Sequence, residues 1–182
     1  MRTITSLEGI YKPMHRSGSK PFYGLDGGVA RGLEAYNCDC DADFQRGHVW
    51  TELQQCKFIG HLLEGGDVAP ILVNIGPGGD WETAILVDGK QRVTAALRWA
   101  AGEISALLYD GRTVWLKHLN EREHRRLTTV VGLEFGLVRW TREEMLENYI
   151  RLNRGGTVHT DDEIKKVQRL LKRERTKAET TK

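Results

Sequence analysis

The sequence is poor in cysteine, in long apolar runs and in any excess of one charge, and each shortage closes off a class of protein. Its three cysteines, Cys38, Cys40 and Cys56, lack both the paired spacing of a zinc module and the even count of a disulfide framework, which fits a reducing compartment. Cys38 and Cys40 together with His48 could hold a metal ion, but no fourth ligand accompanies them, and small buried or surface thiols are the simpler reading. No apolar stretch approaches the roughly 18 to 20 residues of a membrane span. The opening Met1-Arg2-Thr3-Ile4-Thr5-Ser6 has no apolar signal core, so a cytoplasmic protein without a membrane partner is expected. With 27 Lys and Arg against 25 Asp and Glu, the net charge is only +2. Nucleic acid could then be attracted by a local patch but not by the bulk field.

What is present is the composition of one globular domain over 182 residues, 40% hydrophobic and 29% charged, enough to bury a core. Residues 1–37 are irregular, with glycines at 9, 18, 24, 27, 28 and 32 breaking any helical period, and are expected to form loops with short strands, one near Ile10-Tyr11. Thr51 with Gln54 makes a capping box, and Leu53, Cys56, Ile59, Leu62 and Leu63 recur at helical spacing up to Gly65-Gly66. Pro70 to Ile75 and Thr83 to Val87 are strand-like and flank the turn cluster Gly76-Pro77-Gly78-Gly79-Asp80, so they should pair or lie adjacent. A helix follows the second run at once, through Val93 to Ala101. Ala106 to Tyr109 and Arg112 to Leu116 flank Asp110-Gly111, a hairpin signal. Asn120 with Glu123, Thr141 with Glu144 and Thr160 with Glu163 each open a further helix, and Val130 to Trp140 is β-like, with Gly132 and Gly136 as bulge or bend positions. Intermixed helices and strands without a repeat predict an α+β fold in one domain, a small mixed sheet with surrounding helices.

The chemistry gathers where the second strand passes into its helix. Asp88-Gly89 is followed in the first helical turn by Lys90 and Arg92. Glycine admits a close phosphate, the first helical N–H groups are unsatisfied donors, and the helix dipole adds partial positive charge. Cations at a helix start cost about 0.3 to 1 kcal/mol each unless something negative arrives. Solvated side chains beside an ordinary turn are the competing account.

Five segments in order resemble one known domain: Asp43 to Trp50 with Gln45-Arg46, the helix with Leu62-Leu63, Pro70-Ile71-Leu72, Val87-Asp88-Gly89-Lys90-Gln91-Arg92-Val93-Thr94, and Arg151-Leu152-Asn153-Arg154-Gly155-Gly156. Together they look like the DGQQR-motif domain of modification-dependent (type IV) restriction proteins, a branch of the ParB/sulfiredoxin-like superfamily. The resemblance runs from about residue 37 to residue 170. It implies nucleoside triphosphate binding and hydrolysis, with Asp88, Gln91 and Arg92 catalytic and Gln45, Arg46, Gly89, Lys90, Arg151, Asn153 and Arg154 contacting the nucleotide. Lys90 stands where the family has glutamine, a change that keeps phosphate favourable and bears on base choice or rate. Glu147-Asn148-Tyr149-Ile150-Arg151 matches the Glu-Asn-x-x-Arg pattern of ParB proteins, which implies Mg²⁺ at Glu147 and Asn148; an i,i+4 salt bridge between Glu147 and Arg151 explains the same residues.

Sulfiredoxin chemistry is disfavoured, because no cysteine lies after Cys56, and no nuclease signature surrounds His118 or His124. Lys165, Lys166, Arg169, Lys172, Arg173, Arg175 and Lys177 make 161–182 a basic helix and tail, a surface for DNA phosphates or a solvated face. Its last residues, Ala178 to Lys182, are expected to fray. The expected function is NTP binding and hydrolysis in a DNA-linked role, sensing or regulating modified or foreign DNA in a phage or mobile element, and a homo-oligomer is compatible with it. A non-enzymatic DNA-binding or partner-regulating module with a nucleotide switch, and kinase-type phosphoryl transfer, are the alternatives.

Overall fold

The computed structural model describes residues 3–4, 21–45, 47, 49–79, 84–154 and 161–180. In chain order the elements are β1 (Thr3–Ile4), β2 (Phe22–Gly24), α1 (Gly28–Ala35), α2 (Glu52–Leu63), β3 (Ile71–Asn74), β4 (Ile85–Asp88), α3 (Lys90–Ala100), β5 (Ala106–Leu107), β6 (Thr113–Val114), α4 (Glu121–Thr129), β7 (Gly132–Val138), α5 (Arg142–Arg154) and α6 (Asp161–Thr180). The fold is α+β. One sheet follows the order β2-β7-β3-β4 and a smaller one β1-β6-β5. The chain forms two compact units, the first from Met1–Ala35, His48–Ile71 and Gly89–Gly136, the second from Tyr36–Gly47, Leu72–Asp88 and Leu137–Lys182.

In the first unit β2 and β7 run antiparallel with Tyr23 opposite Leu133, and the Tyr23 and Phe135 rings meet at 4.7 Å. A side chain at Gly132 would collide with the Tyr23 carbonyl oxygen, so this glycine serves a close strand approach rather than a bulge. Helix α1 corrects the expectation of loops throughout 1–37. Its Gly32 lies so near the Tyr23 ring that a Cβ would press into it. The glycine that lowers helix propensity is thus the one that lets the helix dock, and packing outweighs propensity. The Ile10-Tyr11 strand falls outside the described residues.

Helix α2 starts on the Thr51–Gln54 capping box and buries Ile59, Leu62 and Leu63 completely. Leu53, expected in the stripe, is exposed, and Gln55 is buried in its stead. Gln55 is satisfied there: Nε2 donates to the Trp50 carbonyl at 3.2 Å and Oε1 accepts from Arg98 Nη1 at 2.9 Å. Strands β5 and β6 form the expected hairpin, Ala106 opposite Val114. The chain turns through Tyr109 to Gly111, with Leu108 N donating to Arg112 O at 2.9 Å and Gly111 at φ 82°.

In the second unit β3 and β4 pair, as their sequence predicts; they run antiparallel with Val73 opposite Leu86, and the register shifts between Leu72 and Val73. Asp39 adds a single parallel bridge to Ile85, so the sheet is mixed. Ile75 N donates to Val138 O at 2.9 Å. Asn74 is buried but satisfied, giving Nδ2 to Trp140 O at 3.0 Å and taking the Trp140 N–H at 2.8 Å. A core of Ala42, Phe44, Val87, Leu146, Tyr149 and Val167 joins β4, α5 and α6. The helices are also clipped by charge: Arg175 Nε meets Glu143 Oε1 at 2.7 Å, and its Nη2 meets Glu147 Oε1. Helix α6 continues to Thr180, beyond the expected fraying point at Ala178. The Thr160 cap lies outside the described residues. Among the described residues no helix is long and apolar enough to cross a membrane.

Candidate functional site

Gly89 follows β4 directly and is the N-cap of α3. Its φ of 107° lies in the left-handed region, and a Cβ there would run into Ile71 Cδ1, so both conformation and space call for glycine. As the N-cap of α3 it has no side chain with which to accept a helix N–H. Helix α1 starts in the same way, after Gly27 at φ 102° and with no acid in its first turn; three other helix starts behave differently. Capping boxes close α2 at Thr51–Gln54 and α4 at Asn120–Glu123. On α5, Thr141 Oγ1 accepts the Glu144 N–H at 3.3 Å while Glu144 Oε2 accepts the Thr141 N–H at 2.9 Å. Their first turns carry Glu52, Glu121 with Glu123, and Glu143 with Glu144. The first turn of α3 carries no acid; it carries Lys90, Gln91 and Arg92 instead.

Gln91 and Arg92 have definite jobs inside the first unit. Gln91 Oε1 accepts the N–H groups of Val49 and Trp50, both at 3.1 Å, which fixes the entry to α2. Arg92 Nη1 donates to the carbonyls of Ala69 and, at 3.5 Å, Pro70, holding the segment that leads into β3. Two of the residues to which the resemblance gives catalytic roles are therefore anchors of the turn in this conformation. The backbone amides of that turn and the Lys90 ammonium are the groups an anion would meet here. Nothing in the sequence announces the partners at 49–50 and 69–70, because they are main-chain atoms.

The other expected residues are distributed as follows. Asp88 ends β4 opposite Leu72 and is half-buried. Gln45 lies against the same strand, its Nε2 on the Leu86 carbonyl, while its buried Oε1 has no hydrogen-bond partner among the described residues. Arg46 and the side chain of Arg154 lie outside what the structure describes. Arg151 is exposed on α5. Asn153 Nδ2 donates to the Tyr149 carbonyl at 2.7 Å, and Asn148 Nδ2 to the Glu144 carbonyl at 2.9 Å, one helical turn back in each case. Glu147 pairs with Arg175 of α6. The two residues implied as Mg²⁺ ligands thus present one carboxylate engaged by a guanidinium and one amide oxygen. Among the described residues no three His, Cys, Asp or Glu side chains gather as metal ligands. This donor set does not make a protein-built cage for Mg²⁺, an ion that commonly stays on substrate phosphates with its waters. His118 is exposed and His124 half-buried beside the charged start of α4.

No family model, curated protein or solved structure matches the chain, so the candidate site rests on its own geometry and on the order of its motifs.

Proposed function

We propose that this chain binds a nucleoside triphosphate at the first turn of α3 and hydrolyses it in a DNA-linked role, as a DGQQR-type domain of the ParB/sulfiredoxin-like superfamily. The observation that carries the reading is the contrast among helix starts. Three helices begin with side-chain caps and acids, and α1 and α3 each begin after a bare left-handed glycine; of these five starts α3 alone has cations and no acid among its first three residues, Lys90, Gln91 and Arg92. An uncapped, basic helix start is unfavourable alone and favourable once phosphate oxygens accept its N–H groups. Mg²⁺ belongs to the ligand in this reading and arrives on the phosphates. The chain contributes backbone donors at residues 90–92 and the Lys90 ammonium. Gln91 and Arg92 contribute by fixing the turn, and Asp88 supplies a carboxylate that orients the attacking water.

The test is calorimetric titration with the four NTPs and Mg²⁺. One of them should bind, and Lys90→Glu should weaken it at least about tenfold, the worth of one charge-assisted contact, without loss of thermal stability. Heat from none of the four, or equal binding by the variant, overturns the proposal. Phosphate release separates an NTPase from a non-hydrolysing switch, and label appearing on an acceptor identifies a kinase.

DNA is the proposed partner of α6. Lys165, Lys166, Arg169, Lys172 and Arg173 are exposed and fall on one side of the helix at 100° per residue, opposite the buried Val167. Duplex binding through them should weaken with log salt at a slope of about −0.9 per phosphate contacted. Reversing Lys166, Arg169 and Arg173 to Glu should abolish it; a salt-independent or unaltered affinity rules this face out.

A further inference from the structure

The segment from Tyr36 to Phe44 alternates strictly. Tyr36, Ala42 and Phe44 are buried, Cys38 and Cys40 half-buried, and Asn37, Asp39, Asp41 and Asp43 exposed. The chain turns at Tyr36-Asn37, with Asn37 at φ 42°, and bends at Cys40-Asp41. Between the two cysteines Asp39 makes a single bridge to β4: Asp39 N donates to Ala84 O at 2.8 Å and Leu86 N to Asp39 O at 2.9 Å. Cys38 and Cys40 flank this bridge, both half-buried and partly open to solvent. The Cys40 thiol reaches back to the Cys38 carbonyl at 3.6 Å. The Cys38 thiol is hydrogen-bonded to Cys40, and that bond together with burial holds its proton well above the ordinary thiol range.

We propose that Cys38 and Cys40 are a redox pair that closes reversibly into a disulfide by exchange with a small-molecule disulfide. The thiolate of one cysteine attacks one sulfur of the small disulfide, the S–S bond breaks and one thiolate leaves. The other cysteine then gives up its proton and attacks the newly formed mixed disulfide at the protein sulfur, expelling the second thiolate. Two protein thiols have lost two electrons, one small disulfide has become two thiols, and the two protons end on those leaving groups.

Disulfide-linked Cα atoms stand at most roughly 6.8 Å apart, so closing the bridge constrains the backbone of Asp39 between the two cysteines, whose N–H and carbonyl are bonded to the chain at Ala84 and Leu86. Partly exposed, strained disulfides are the readily reduced, regulatory kind. Cys56 sits apart on α2 and its thiol is raised by burial, which leaves it the slower thiol and an internal control.

The test equilibrates the full chain, and its Cys56→Ser variant, with oxidised glutathione and reads mass after acid quenching. Both proteins should lose two hydrogens without carrying an adduct, peptide mapping should link Cys38 to Cys40, and reduced glutathione should reverse the change. In the Cys56→Ser background, Cys38→Ser and Cys40→Ser should each retain a glutathione adduct instead. On oxidation the Asp39 and Leu86 amides should exchange hydrogen faster. Glutathione adducts on Cys56→Ser with no dehydrogenated species, cross-linked dimers alone, or no reaction would overturn the proposal.

Discussion

At residue 60 a methyl group would occupy the place of the Leu107 carbonyl oxygen, because α2 crosses β5 backbone against backbone. Relief requires the helix to move off the strand and loosen the packing of Ile59 and Leu63, both fully buried. Gly60→Ala should therefore cost about 1 to 3 kcal/mol or more, despite its gain in helix propensity. Gly78, with open space around it, should accept alanine with a change within about 0.5 kcal/mol. Urea unfolding of the two variants checks the contrast, and a Gly60→Ala protein as stable as the parent would show that the crossing yields. The sequence offers no sign of this constraint, because Gly60 sits inside a good helical pattern where glycine reads only as a weak point. The swap of Leu53 for Gln55 in the buried stripe was hidden for a related reason. A helical period says which residues share a face, but Gln55 goes inside because Arg98, distant in sequence, satisfies its amide oxygen.

Among elements, those with local signals were the legible ones. Caps at Thr51, Asn120 and Thr141 announced α2, α4 and α5 because capping is chemistry within one turn. The β3 and β4 runs and the Asp110-Gly111 turn were equally readable. Helix α1 was not, since its glycines argue against a helix until the Tyr23 ring is in place. At the candidate site the uncapped basic start of α3 could be read from Gly89, Lys90 and Arg92, whereas the anchoring of Gln91 and Arg92 to distant main chain could not. The polarity of α3 gives its own prediction. Lys90 opposes the helix dipole, so Lys90→Glu should raise stability by about 0.3 to 1 kcal/mol in the absence of ligand. Thermal melting at low salt checks this; a fall in stability would mean that Lys90 is held by interactions stronger than the dipole penalty.

For the molecule as a whole, the raised thiols predict a loss of stability at alkaline pH. Cys38 is raised by its hydrogen bond to Cys40 and by burial, and Cys56 by burial. A thiol whose folded pKa exceeds its unfolded value contributes its full stability below the unfolded pKa, about 8.5. That contribution is lost as pH climbs through the window above, since the unfolded chain ionises there and the folded one does not. The urea midpoint should accordingly fall between about pH 7 and about pH 9.5, and the Cys38→Ser, Cys56→Ser double variant should fall less. Equal declines in both would place the alkaline sensitivity elsewhere.

The two compact units are each assembled from three separate stretches, and the chain passes from one to the other at 35/36, 47/48, 71/72, 88/89 and 136/137. Neither unit is therefore a cassette. A recombination junction falling between residues 36 and 136 hands its recipient pieces of two unfinished interiors, so chimaeras crossing over there should be recovered insoluble. Heredity can transmit this pair only as a single parcel.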